Sequence, residues 1–395
     1  MPNPPSDGGA QAIHNTTRGL LENDIETNII SVNPSRNFID LKDLPKEYID
    51  ATNFEAVYIN TDIKPIGILL NLLRKESYFI ERFKSKKFEL KLIELLSNTS
   101  FDIIQFEHLY LLLYIDLIRE YSTAKLIFRP QNVEFIIWKR FIKNLRNPFK
   151  KAFLQIATGR LEKFEKTIPS KVDGIITLTK DDANIFKSYI KKTPISDIPM
   201  GFDFGSLKDY NFDEQYKGSP IFYHLGSMDW LPNEEAIRWF VDSVLDIVIE
   251  KIPDIKIHIA GRNMQDYFYQ IKSKNLIIEG EIKDPINYQK DKAIMIVPLL
   301  SGSGIRAKII EGIALGKTII TSSIGAQGIR YKNGENLLIA DTPEEFAEAM
   351  LSCYQSKELC RKIGRNAREL SNNNYHYISI AKEMVNFYEE IIASK

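Results

Sequence analysis

Short runs rich in β-branched and aromatic residues alternate with helical stretches along most of the chain, and this alternation restricts the fold more than any other feature. TNIISV (27–32), EAVYI (55–59), FDIIQF (101–106), AKLIF (124–128) and VDGIITLT (172–179) form a first series. IFYHLG (221–226), DIKIHIAG (254–261), NLIIEG (275–280), AIMIVP (293–298), KTIITS (317–322) and ENLLI (335–339) form a second. Each run has strand length and β-forming composition, and several end in Gly or Pro, where a strand turns toward a helix. Strands joined by helical crossovers pair in parallel, so each series predicts a doubly wound α/β sheet that binds its ligands outside the carboxyl ends of its strands. After IPMGFDFG (198–205), the polar, turn-rich LKDYNFDEQYKGSP (207–220) reads as an interdomain linker. The expected domains are 1–205 and 206–375, followed by a helix over 376–395 with the first domain as its packing partner.

The 395 residues suffice for two domains, and 44% apolar residues suffice for two cores. Lys+Arg and Asp+Glu are equal at 52 each, so overall charge gives no reason to expect a nucleic-acid partner and any anion site must be local. Cys353 and Cys360 lack metal-ligand spacing and read as small apolar residues on one helix face of a protein from a reducing, cytoplasmic compartment. No apolar run reaches the ~18 residues of a membrane span, and no signal peptide opens the chain. The expected protein is soluble or peripheral.

The stretch SGSGIRAKIIE (301–311) follows the end of AIMIVP and sets a glycine-serine loop before a helix. Gly304, Lys308 and Glu311 are spaced to share one helix face over roughly 10 Å, about the reach of a nucleotide's diphosphate and ribose. Free N–H groups and the positive end of the helix dipole favour an anion there, and glycine lets it come close to the backbone. A carboxylate two turns further in is placed to accept hydrogen bonds from hydroxyls. The competing reading is an ordinary charged surface helix.

Other motifs narrow the chemistry. ALGKT (314–318) has Glu311 where a P-loop needs glycine, and its order is reversed, so Gly316 reads as a helix C-terminal cap. No aspartate pair has D-x-D spacing, the five histidines show no ligand pattern, and no G-x-S-x-G is present. No metal is expected. His224 and His258 lie within strand runs and read mainly as core or edge histidines, whereas Glu107 and His108 follow a strand end, where side chains reach a crevice. MPNPPSDGGAQAIHN places Gly8 and Gly9 before an apparent helix with no strand ahead of them. Either the chain is shortened upstream of Met1, or that loop hangs on a strand with no signal in the sequence.

HLGSMDWLPNEEAIRWF (224–240), IAGRN (259–263), EGEIKD (279–284) and VPLLSGSGIRAKIIEGIALGKTIITSSIGAQGI (297–329) together resemble the donor half of a family 4 glycosyltransferase with the GT-B fold. FDIIQFEHLYLLLY (101–114), IFRPQNVEF (127–135), TLTKDDANIF (177–186) and IPMGFD (198–203) resemble its acceptor half. The resemblance implies two Rossmann-like domains facing across a cleft and metal-independent transfer from a UDP- or GDP-sugar without any other cofactor, usually with retention. It carries the ribose-binding second glutamate of an E-x7-E motif onto Glu311, while the first glutamate falls on Ser303. The loop GSMDWLPN lacks the family's basic pair, which leaves Arg306 and Lys308 as substitutes beside the diphosphate. Gly226, Gly261, Arg262, Ile282, Gly302, Gly304 and Ile305 complete the implied donor set. Gly8 and Gly9 match the family's glycine-rich loop, His108 lies near a histidine that contacts the donor sugar, and Glu107, Asn132 and Glu134 are candidates for the acceptor side.

Two other readings share parts of this pattern: a nucleotide-sugar 2-epimerase of the same fold, and a non-catalytic nucleotide- or sugar-binding protein. Residues 138–153, WKRFIKNLRNPFKKAF, interleave basic and aromatic side chains in a way that suits an anionic membrane surface or, alternatively, a solvated helix with its aromatics packed inward.

Overall fold

The computed structural model describes the chain except residues 6, 63–70, 72–75, 144, 146, 208, 209, 303 and 395. Two compact units result: Met1–Gly201 together with Tyr377–Lys395, and Phe202–His376.

In the first unit, strands β1 (Ile30–Pro34) and β2 (Glu55–Ile59) form one parallel pair. Strands β3 (Ile103–Phe106), β4 (Lys125–Phe128), β5 (Gly174–Thr177) and β6 (Ile195–Asp197) form a four-stranded parallel sheet in that order. Alternation of side chains sends Leu126, Phe128 and Ile175 into one core and Ile127 and Ile176 into another. The second of these is closed by the terminal helix Tyr377–Ala393, through Ile380, Met384, Phe387 and Ile391. That helix also packs on the helix Gly8–Leu21, where a side chain at Gly19 would come within 2.6 Å of the Ala381 Cβ.

The second unit is one six-stranded parallel sheet in the order β12-β11-β10-β7-β8-β9. Its strands are β7 (Phe222–Leu225), β8 (Ile257–Ala260), β9 (Leu276–Gly280), β10 (Ile294–Val297), β11 (Thr318–Thr321) and β12 (Leu338–Ile339). The chain builds outward from β7 through β8 to β9, then returns to build β10, β11 and β12 on the other side. The topological switch point therefore lies between β7 and β10, where such sheets hold ligands. Phe222, Ile294 and Ile296 face a core with Ile237, Phe240 and Phe346; each fully buried side chain of this size contributes ~1.5–3 kcal/mol. Gly312, in the helix Ala307–Ala314, meets Met295 and Ile319.

Two expectations change here. The stretch 207–220 is not a loose linker: Tyr210, Gln215 and Tyr216 are buried, and the Tyr216 hydroxyl donates to the Gly316 and Cys360 carbonyls at 3.0 and 3.2 Å. Cys353 and Cys360 sit on successive helices, Pro343–Gln355 and Lys357–Asn374, because the chain breaks at Ser356, the side chain of which caps the second. Gly316 does end the helix Ala307–Ala314: at φ 66 it lets its own N–H and that of Lys317 reach the Ile313 and Gly312 carbonyls.

Candidate functional site

At the carboxyl end of β7 the backbone comes close to its neighbour. A Cβ on Gly261 would lie 1.7 Å from the Gly226 carbonyl oxygen, so only glycine lets the loop after β8 pass there. A Cβ on Gly226 would meet the Lys308 Nζ at 2.5 Å. Lys308 thus extends from the helix after β10 over the end of β7, across the switch point.

Uncharged groups hold that ammonium. It donates to the Asn233 Oδ1 at 2.7 Å and lies 3.5 Å from the His224 Nε2. His224 donates from Nδ1 to the Ile296 carbonyl at 2.9 Å, which leaves a lone pair on Nε2 facing the lysine. Asn233 is oriented by donating to the Ser227 carbonyl at 2.7 Å. Burial, and then the nearby Arg306 charge, lower the Lys308 pKa to about 7; burial and Lys308 keep His224 well below the usual histidine range. An anion arriving here would restore the lysine's full charge. Arg262, after β8, donates from Nε to the Ser227 hydroxyl at 2.9 Å and borders the same loop.

The helix behind the glycine-serine loop begins at Ala307, not at Gly304. Gly302 and Gly304 lie ahead of it at φ 121 and 76, a left-handed backbone that a side chain would strain, and Ile305 is half-buried. Ser303 lies outside the described residues. Arg306 differs from expectation: it is 4% exposed, and its terminal nitrogens donate to the Gly304 and Ile324 carbonyls at 2.6 and 3.5 Å. The guanidinium braces the loop from within, because a buried cation beside two carbonyls finds its hydrogen bonds there rather than in solvent. Glu311 is half-buried and accepts from the Gln289 Nε2 at 2.7 Å; burial raises its pKa. Ile282 is half-buried in the loop after β9.

In the first unit, Gly8 and Gly9 do not form a loop. They are the first residues of the helix Gly8–Leu21, and the Asp7 carboxylate caps it by accepting from the Ala10 N–H at 2.9 Å. The acidic cap takes up one of the N–H donors an incoming phosphate would use, and its charge would repel that phosphate. Glu107 is also committed: its oxygens accept from Gln105 at 2.6 Å, Gln131 at 2.9 Å and the fully buried Arg129 at 2.9 Å. It stands at the strand end as the partner of a buried cation. His108 stacks on Tyr110 with ring centroids 5.1 Å apart, and burial lowers its pKa. Asn132 is half-buried just before the helix Glu134–Lys143. The first two N–H groups of that helix donate to the buried Glu165 carboxylate at 3.0 Å each. Glu134 is pushed up to about 7 by burial.

Sequence reasoning missed Asn233 and Gln289 and ranked His224 low. The segment WLPNEEAIRWF carries part of the family resemblance, yet nothing in its spacing shows that Asn233 meets a lysine 75 residues away.

A doubly wound parallel sheet with a cation held by neutral partners at its switch point is an arrangement suited to an anionic ligand. Residues 219–356 match the family described as Glycosyl transferases group 1. The chain is 24% identical over 363 residues to a Klebsiella pneumoniae protein named as an uncharacterized 44.6 kDa protein in the cps region, covering 87% of this chain and 90% of that one. Among solved structures, a sucrose-phosphate synthase from Thermosynechococcus elongatus matches 98% of this chain and 94% of its own with a TM-score of 0.68 at 15% identity. HepE of Anabaena in complex with UDP-glucose covers 98% and 97%, with a TM-score of 0.64 at 10% identity. The fold is GT-B. Residues 219–356, which match the group 1 glycosyl transferase family, lie in the second unit.

Proposed function

We propose that the protein moves a sugar from a nucleotide-sugar donor, UDP- or GDP-linked, to a glycan or lipid-linked glycan acceptor. The second unit takes the donor, and the first serves the acceptor. The observation that carries this reading is the Lys308 ammonium over Gly226, held by Asn233 and His224 with no carboxylate paired to it among the described residues. In the transfer, the bond from the anomeric carbon to the phosphate oxygen breaks and its electrons leave with the nucleoside diphosphate. The acceptor oxygen bonds to that carbon, and its proton passes to the departing diphosphate or to water. Lys308 meets the charge that grows on the leaving diphosphate, which is the electrostatic work a metal ion would otherwise do. The reaction then proceeds in the presence of a chelator, and with retention, as the family resemblance implies.

Donor preference toward UDP is supported by the neighbour solved with UDP-glucose, and a cell-envelope glycan acceptor by the relative named from a cps region. The test is incubation with a nucleotide sugar, with and without candidate acceptors. Acceptor-dependent release of nucleoside diphosphate supports a transferase; an isomerised donor means an epimerase, and binding without turnover means a binding protein. Analysing the product's anomeric configuration decides retention.

Among the described residues, no helix is long and apolar enough to cross a membrane. Residues 138–153 support peripheral contact with an anionic bilayer. Pro148 begins a second helix, Pro148–Thr167, rather than interrupting one, and leaves Phe149 87% exposed beside Lys150. Trp138 instead packs inward on Phe79, with ring centroids 4.2 Å apart, and Lys139 pairs with Glu162 at 2.6 Å. The bilayer-facing part is thus narrower than the sequence suggested; Arg146 lies outside the described residues.

A further inference from the structure

Glu311 does not stand by itself. Gln289, the last residue of the short helix Pro285–Gln289, is 1% exposed and donates from Nε2 to both the Pro285 carbonyl at 3.0 Å and the Glu311 Oε1 at 2.7 Å. Its Oε1 accepts from the Tyr223 hydroxyl at 2.7 Å, and Tyr223 is itself fully buried in β7. The amide cannot flip: a carbonyl and a carboxylate both face its nitrogen, and turning it would set an oxygen against each. The Gln289 backbone is fixed too, since the buried Lys317 Nζ donates to its carbonyl. A chain of neutral hydrogen bonds from β7 therefore orients one carboxylate, and among the described residues only its Oε1 is engaged.

We propose that Gln289 is a positioning residue that sets the Glu311 carboxylate for the hydroxyls of a ribose, and so makes the site selective for ribonucleotides. This rests on the donor-site reading given above. By donating to Oε1, Gln289 works against the upward pKa shift that burial causes, and it fixes the rotamer so that Oε2 is available to accept. A carboxylate that accepts from a hydroxyl forms a charge-assisted hydrogen bond, and a ligand lacking that hydroxyl leaves a desolvated charge unmet.

Isothermal titration with UDP, GDP and their 2′-deoxy and 3′-deoxy forms tests this. The wild-type protein should bind the ribonucleotide on the order of tenfold or more tightly than at least one deoxy form. Gln289→Met keeps the side chain's length but removes both N–H donors. It should lower ribonucleotide affinity while leaving that for the deoxy form unchanged, so the ratio falls toward one; the unchanged deoxy affinity also reports an intact fold. Tyr223→Phe, which removes only the hydroxyl behind Gln289, should shift the ratio the same way by less, and it stands in if the Gln289 variant does not fold. An unchanged ratio, or equal losses for both nucleotides, overturns the role of Gln289. A wild-type protein without ribose preference overturns it as well while leaving the diphosphate site intact, whereas no nucleotide binding at all overturns the donor-site reading itself.

Discussion

Both units present charged side chains where their parallel strands end, and the two ends are built in opposite ways. In the first, the cation is matched: Arg129 is fully buried with its Nη1 2.9 Å from Glu107, which also accepts from two glutamines. In the second, the partners of Lys308 among the described residues are an amide and an imidazole, and the Arg306 charge acts on it. A neutralised pair gains nothing from an anion, whereas a half-buried, desolvated ammonium facing neutral groups is costly until an anion arrives. The matched pair in the first unit therefore offers no free charge to an anion, whereas the lysine in the second does.

The largest expected effect separates the two by stability. Glu107→Gln leaves the Arg129 charge buried without a carboxylate and should cost about 3–5 kcal/mol, read as a lower unfolding midpoint in urea, with nucleotide affinity at native conditions unchanged. If nucleotide affinity fell while the midpoint held, the contrast between the units would be lost. Lys308→Ala should do the reverse. Turnover falls by ~10² to 10³, as for the loss of one charge-stabilising donor, while the unfolding midpoint stays level or rises because a half-buried cation with no carboxylate partner among the described residues is gone. Near-normal turnover would remove Lys308 from the chemistry.

A smaller effect comes from the depressed Lys308 pKa of about 7. A base whose folded pKa lies below its unfolded value binds fewer protons when folded, so this group makes stability rise with pH between about 7 and the ordinary lysine range. Donor binding has the opposite trend. The diphosphate favours the charged form, so binding takes up a proton above pH 7, and affinity should fall by up to about tenfold per pH unit there. Titration calorimetry in buffers of different ionisation enthalpy detects that proton, and Lys308→Ala should abolish it. Binding that is pH-independent from 6.5 to 9 would contradict the lysine's role.

The smallest effect concerns the first unit's surface. Lysines near an anionic bilayer are worth ~1 kcal/mol each, so Lys143→Glu with Lys150→Glu should abolish co-sedimentation with phosphatidylserine-containing vesicles at low salt, and Phe149→Ser should weaken it. Failure of the wild-type chain to sediment at low salt would leave the exposed Phe149 without a membrane role.

What the sequence determined by itself is what a single element fixes through its own spacing. The strand runs fall within a few residues of their observed bounds, with β6 the exception, since three half-buried residues of ISD give no apolar alternation. Gly316 was legible as a cap because a helix end depends on its last turn and on one residue able to take a positive φ. SGSGIRAKIIE was legible as a glycine loop leading into a helix, because loop and helix are contiguous, although the helix starts at Ala307. Tertiary structure decided which way each charge is spent. Arg306 and Lys308 are two residues apart, yet one turns into the Gly304 carbonyl of its own loop and the Ile324 carbonyl after β11, and the other crosses to Asn233 and His224, 75 and 84 residues distant in sequence. Glu107 looked as free as Glu311 until Arg129 was found beside it, and Gly8 and Gly9 looked like a phosphate loop until Asp7 capped their helix. Local spacing sets which side chains share a face, but whether a buried charge is already answered depends on strands brought together from far along the chain, and burial multiplies the cost of any mismatch.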